Sequence, residues 1–430
     1  MKLTKKSELL MSFLLDNKCI EPTKQSNKTK QIFTHFYKEI RDAEKYIEHM
    51  KRQMGSQFYN LQISEINTFS QIPKPTTFPA DGFPPEIRKH IDDNITYQLS
   101  YFIHLLDRKI KIHFLLEDMK DITKIKNMNA CIDVYNHYVD NMLTWLTVIN
   151  EYASKTCASE LTVYLYFTSL EKNTPSTNIH ILSEKHINTA FTMTCPKISE
   201  IVVFRKEEWF KVFLHETFHN WGLDFSDMNN EICNKQILSI FPVKSEVNLF
   251  ESYAEFWAKI MNALFCSYVS LSNKEDVNEF LEYANIFIYF EQVYSYFQMV
   301  KVLDFMNLKY EYLYSKDTKI ESIRNTMYRE NTNVLSYYII TLILLNNYQA
   351  FIQWCDKNNI VLLQFKKTVS NQTKFCDFII QKYKSSHMLE NIKCTEELLG
   401  TLKPKLKKTK YSKQSNFLLK NLRMTVCELC

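Results

Sequence analysis

At 430 residues, 45% of them apolar and 23% charged, the chain is long enough to bury a large core and has the make-up of an ordinary globular protein. Eleven cysteines without regular spacing exclude a disulfide framework and read as reduced thiols in an intracellular compartment. The net charge of +5 sits at one end: residues 403–430 hold seven Lys and one Arg against one Glu, which leaves the body slightly acidic.

From the start of the chain, Leu9 to Leu15 is a very short apolar run between Glu8 and Asp16. No small-residue cleavage site follows it, so no signal peptide is expected. Residues 28–54 carry Ile32, Phe33, Phe36, Ile40, Ala43 and Ile47 at helical spacing and predict an amphipathic helix. Five of the ten prolines fall between Pro73 and Pro85; they mark an extended connector before a second helix starting near Pro85. Lys109–Leu116 alternates as a half-buried strand does, and a helix over roughly Asn129–Ser154 follows. Leu161–Phe167 is the best strand by its β-branched and aromatic content, and Ile187–Thr194 and Glu200–Phe204 read as two more.

Beyond Phe204 the pattern is helical nearly to the end. The apolar run Val334–Leu345 is too short to span a bilayer and reads as a buried core helix, so no membrane partner is expected. Cys427 and Cys430 form a lone C-x-x-C, short of the four ligands a structural zinc site needs. The basic run Lys403–Lys413 reads as a solvated tail that would contact an acidic partner or nucleic acid.

These elements give a predominantly helical α+β fold, with a small mixed sheet packed on a helix that follows it. The expected division is a helical N-terminal region with its Pro-rich connector at 1–84 and a larger domain at 85–402. Within that domain the sheet spans about 109–204, two helices that follow it span about 206–268 and a helical C-terminal part completes it, and a basic tail follows at 403–430.

The chemistry lies in His215-Glu216-Thr217-Phe218-His219, an H-E-x-x-H sequence. On a helix, histidines at i and i+4 project from one face and reach one cation, and Glu216 is placed to touch a water on that cation. The context predicts such a helix. Phe210, Phe213, Leu214, Thr217, Phe218 and Trp221 form a stripe, Glu207 and Glu208 suit the N-terminal end, and Gly222 suits a left-handed C′ position. Catalytic zinc needs a third protein ligand. Six residues beyond His219 stands Phe225, which cannot coordinate, with Asp224 one place off; the other candidates are Glu251 and Glu255 on a second predicted helix, on a face with Ala254 and Ala258.

H-E-x-x-H followed by E-x-x-A-E resembles the gluzincin type of zinc peptidase over about 70 residues, from Glu200 to about Phe265. The resemblance implies Zn²⁺ as cofactor, Glu251 as third ligand and Glu255 as the group that orients a ligating His. It also implies a protein or peptide substrate that pairs with an edge strand, a role falling to Ile187–Thr194. Glu216 is then the general base for water attack, and the candidate donors to the oxyanion are Tyr253, Tyr337 and Tyr338. The stretch from Ile201 to Asn220 is also similar to uncharacterised metallopeptidase-like proteins of large DNA viruses, which implies an intracellular protein made during infection. The competing expectation is a catalytically inactive relative that keeps the metal as a brace and acts by binding.

Overall fold

The apolar run at 161–167 forms an interior strand of a six-stranded mixed sheet, in a computed structural model that describes residues 3–78, 82–118, 128–408 and 413–429. The strands in chain order are β1 (Gln62–Glu65), β2 (Tyr97–Leu105), β3 (Arg108–Leu116), β4 (Glu160–Phe167), β5 (Leu182–Ser183), β6 (Ala190–Thr192), β7 (Ile198–Val203) and β8 (Glu330–Asn331). Six of them follow the order β1-β2-β3-β4-β7-β6, while β5 and β8 form a separate two-stranded ribbon. Strand β4 runs parallel to both β3 and β7; parallel strands are covered on both faces, and that is why β4 is apolar almost throughout.

Strand β2 has no counterpart in the expected elements. It joins β3 in a hairpin with Leu105 opposite Arg108, and the two turn residues Leu106 and Asp107 both have positive φ, as a type I′ turn requires. A leucine in that conformation is rare, so the turn carries no Asn-Gly signal. The strand expected at 187–194 is shorter than drawn. Glu184–Ile187 makes one helical turn, and only Ala190–Thr192 pairs, antiparallel to β7, at the edge of the sheet among the described residues.

The described chain forms two compact units, neither continuous in sequence. One comprises Thr34–Glu171 and Thr189–Leu223 and holds the six-stranded sheet. Its helix Met128–Asn150 buries Val139, Met142, Leu143, Trp145, Leu146 and Ile149. The Pro-rich connector is tied down by one carboxylate: Glu200 accepts from the backbone N–H groups of Thr76 and Thr77 and from both hydroxyls. Those bonds outweigh burial and keep Glu200 below the usual carboxylate range.

The other unit comprises Met1–Phe33, Lys172–Asn188 and Asp224–Cys430 and is almost wholly helical. Helices Leu249–Ser270 and Val277–Phe305 pack on one another and are buried over most of their circumference, as core helices are. Val334–Leu345 is a buried core segment as expected, opening as a π-helix over Leu335–Ile340 and continuing as an α-helix over Thr341–Asn346. No single described helix is long and apolar enough to cross a membrane.

The solvated-tail reading of Lys403–Lys413 falls almost wholly outside the described side chains, and the residues after it pack into this unit. Side chains from 405 to 413 lie outside the described residues, but Lys413–Lys420 is helical and Leu422, Arg423, Thr425, Val426 and Cys427 are fully buried. Glu291, itself buried, accepts from Thr425 Oγ1 and from the N–H groups of Val426 and Cys427. Leu429 pairs with Leu3.

The cysteines also differ from expectation, since Cys19 is bonded to Cys394 and Cys157 to Cys195. Thiol titration of denatured, unreduced protein should therefore find fewer than eleven reactive groups. Joint Cys157→Ser/Cys195→Ser replacement should cost about 2–4 kcal/mol of stability without reductant and almost nothing with it. A full count of eleven thiols would show both pairs to be reduced.

Candidate metal centre

The H-E-x-x-H sequence lies on the helix Trp209–Asn220, and every residue from Lys211 to Asn220 is buried. Its end has Gly222 at the left-handed C′ position the sequence predicts, within a Schellman arrangement. Gly222 has φ +69° and donates to the His219 carbonyl, and Leu223 N–H donates to the Phe218 carbonyl. A Cβ at Gly222 would also press on Cys195 Cβ at 3.2 Å, so the position needs glycine for space as well as for its backbone angle. The beginning is less ordinary: Glu208 occupies the N-cap with φ +61° and is buried, as are Arg205, Glu207 and Lys211 around it. Burial pulls Arg205 down to about 10 against the opposing pull of Glu207 and Glu208.

Side chains on the helix fix its position. Asn220 accepts from Ser199 Oγ on β7 at 2.9 Å and donates to Thr192 Oγ1 on β6 at 2.8 Å, which holds the C-terminal turn to the edge of the sheet. Thr217 Oγ1 accepts from Trp145 Nε1 at 2.7 Å and donates to the Leu214 carbonyl at 2.6 Å, which locks the central turn to the helix Met128–Asn150. Neither anchor was identified from sequence. Both depend on partners at least 21 residues away, at spacings that carry no periodic signal.

With the helix held this way, His215 and His219 turn their Nε2 atoms toward each other at 3.1 Å. Two nitrogens on one tetrahedral zinc, each 2.0–2.1 Å from it, would stand about 3.3–3.4 Å apart, so the pair is close to the spacing that zinc demands. His215, His219 and Glu251 each offer one ligand atom, and these atoms all lie within 4.8 Å of one another. Two imidazoles and a carboxylate are a donor set that zinc accepts, so the residues fit the ion.

Glu251 stands in the first turn of the helix Leu249–Ser270 and accepts from Tyr337 Oη at 2.9 Å. Tyr337 is presented by the π-helical turn, a distortion frequent at functional sites. Of the three candidate tyrosines it alone is so placed: Tyr253 Oη donates to the Leu363 carbonyl and Tyr338 Oη to the Leu422 carbonyl, both in buried structural bonds. Glu255, one turn on, is buried and is not part of the donor set. Asp224 accepts from the N–H and hydroxyl of Ser226, and Phe225 packs among Phe250, Tyr253, Phe365 and Phe375; neither belongs to the converging donor set among the described residues.

Compared with protein-family models, with curated proteins and with solved structures, the chain matches none.

Proposed function

We propose that the protein is a zinc-dependent peptidase in which His215, His219 and Glu251 hold the metal and Glu216 is the general base. The observation that carries this reading is the convergence of two imidazole Nε2 atoms to 3.1 Å on one buried helix, with a carboxylate next to the first of them. When bound, zinc supplies Lewis acidity, which polarises a carbonyl and brings the ionisation of water near neutral pH.

The rest falls to the chain's own residues. Glu216 takes the proton of the attacking water and returns it to the leaving amine. Tyr337 positions the Glu251 carboxylate through its hydroxyl, and Glu255 is assigned the orientation of a ligating imidazole. Strand β6, on the sheet edge and pinned to the motif helix through Thr192 and Asn220, offers backbone groups to an extended peptide.

Elemental analysis of protein purified without added metal tests the donor set. About one zinc per chain is expected, lost in Glu251→Ala and retained, though weakened, in Glu255→Ala. Wild-type protein that takes up no zinc even on reconstitution would remove the peptidase reading.

One observation favours the alternative of a catalytically inactive, metal-braced binding protein: His215, Glu216 and His219 expose only 5%, 7% and 8% of their surface. Zinc at full occupancy with no hydrolysis of any peptide pool would support that reading over the first.

A further inference from the structure

The last turn of the motif helix ends against a disulfide. Cys157, just ahead of β4, is bonded to Cys195, in the loop that joins β6 to β7. Cys195 N–H donates to the His219 carbonyl at 3.3 Å, one of the carbonyls that a helix leaves without an internal partner at its end. A Cβ built on Gly222 would lie 3.4 Å from Cys157 Sγ and 3.5 Å from Cys195 Sγ, so both sulfurs stand against the residue that closes the helix.

Cys157 reaches the same turn by a second route. Its carbonyl accepts from Arg108 Nη1, and the Arg108 guanidinium lies over the Trp221 ring at 4.0 Å. Cys157, Arg108 and Trp221 are buried, whereas Cys195 is half-buried in a loop whose Met193 and Lys197 are exposed.

We propose that the Cys157–Cys195 disulfide is a redox switch on His219. Oxidised, it holds the last turn of the helix and its imidazole in the metal-binding position; reduced, it lets that turn loosen. The inference rests on the donor set of His215, His219 and Glu251 proposed above, and not on hydrolysis. A disulfide keeps two sulfurs well inside van der Waals contact, and as separate thiols they must move apart. Movement of the loop breaks the bond from Cys195 N–H to the His219 carbonyl, and movement toward Gly222 disturbs the Schellman turn. The loop does not fall away, because Ala158 N–H remains on the Pro196 carbonyl at 2.7 Å and Glu160 N–H on the Lys197 carbonyl at 3.2 Å. Reduction therefore loosens a ligand and leaves the sheet intact.

The reductant is a dithiol, and Cys195 is the member of the pair that it reaches. One thiolate attacks the Cys195 sulfur, forms a mixed disulfide with it and expels Cys157 as a thiolate, which takes up a proton. The second thiol of the reductant then displaces Cys195. Two electrons and two protons pass to the pair, and the reductant leaves as a disulfide.

The test divides metal-free full-length chain into an oxidised sample and one reduced with a dithiol that is then removed under inert gas. Zinc affinity by chelator competition and hydrogen exchange at the amides of Gly222 and Leu223 are measured on both. Reduction is expected to weaken zinc binding about tenfold, the usual effect of losing a group that supports a ligand, and to speed exchange at both amides. Cys157→Ser/Cys195→Ser should match reduced wild type with or without the dithiol. Cys19→Ser/Cys394→Ser removes only the other disulfide and should keep the full response.

Equal zinc affinity in the two states, or a response that survives Cys157→Ser/Cys195→Ser, would overturn the switch and leave the donor set standing. No zinc in either state, with faster exchange on reduction, would sustain a switch at the helix end and remove the donor set. No zinc and equal exchange would overturn both.

Discussion

Glu216→Gln should retain the metal content of wild type and lose hydrolysis of a peptide pool by about 10²–10⁴-fold, the usual contribution of a positioned general base. Glutamine keeps the size and most of the hydrogen bonding of the side chain but cannot take up a proton. The substitution therefore separates proton transfer from metal binding, which belongs to His215, His219 and Glu251. His215→Ala provides the contrast, because it should lose metal and activity together. Unchanged turnover in Glu216→Gln with zinc in place would assign the base elsewhere, and turnover absent in both wild type and variant would leave a metal-braced binding protein.

Deletion of residues 421–430 should abolish soluble folded protein. Leu422 and Val426 are fully buried, and each contributes roughly 1.5–3 kcal/mol through its apolar surface alone. Buried Arg423 pairs with Glu428 at 2.8 Å, and Lys259 donates to the Met424 carbonyl. Glu291 would lose three donors at once and remain a buried carboxylate beside Lys259, a loss in the range of several kcal/mol. Against a typical total stability of about 5–15 kcal/mol these losses are decisive. Thermal unfolding and soluble yield measure the outcome, and a truncated chain that unfolds like wild type would show the segment to be dispensable. The basic run ahead of it needs a different experiment. Neutralising Lys405, Lys407, Lys408 and Lys410 to Gln leaves the buried segment intact, and a salt-dependent affinity for nucleic acid that disappears with it would establish the acidic-partner role proposed for the run.

What was legible in the sequence was what periodicity encodes. The helix carrying the motif, its Gly222 terminus and the six buried positions of the helix Asn27–Met54 all follow from spacing within one element. The strand at 161–167 was legible because a strand between two parallel neighbours has no wet face to interrupt its apolar run. Side-chain anchors across long separations were not legible. Asn220 reads as an ordinary polar residue until Ser199 and Thr192 are found on either side of it. The choice of Tyr337 among 25 tyrosines likewise needed its hydroxyl to be seen on Glu251. The burial of the last described residues was not legible because it depends on Glu291, Lys259 and Gln298, more than 100 residues upstream. A lysine-rich approach hid a short apolar segment.

The pairing of Leu3 with Leu429, with Thr4 N–H on the Glu428 carbonyl, also bears on how the protein is made. Leu3 and Thr4 emerge from the ribosome and then wait for partners some 420 residues behind them, a delay of roughly 20–80 s at ordinary rates of synthesis. Until then Leu10, Met11 and Leu14 have no finished core to enter. The sheet-bearing unit is complete in sequence by Leu223, much earlier. Nascent chains halted midway through translation should therefore protect Leu161–Phe167 from protease while Lys5–Asp16 stays open to cleavage. A chaperone that holds Lys5–Asp16 would act on that interval.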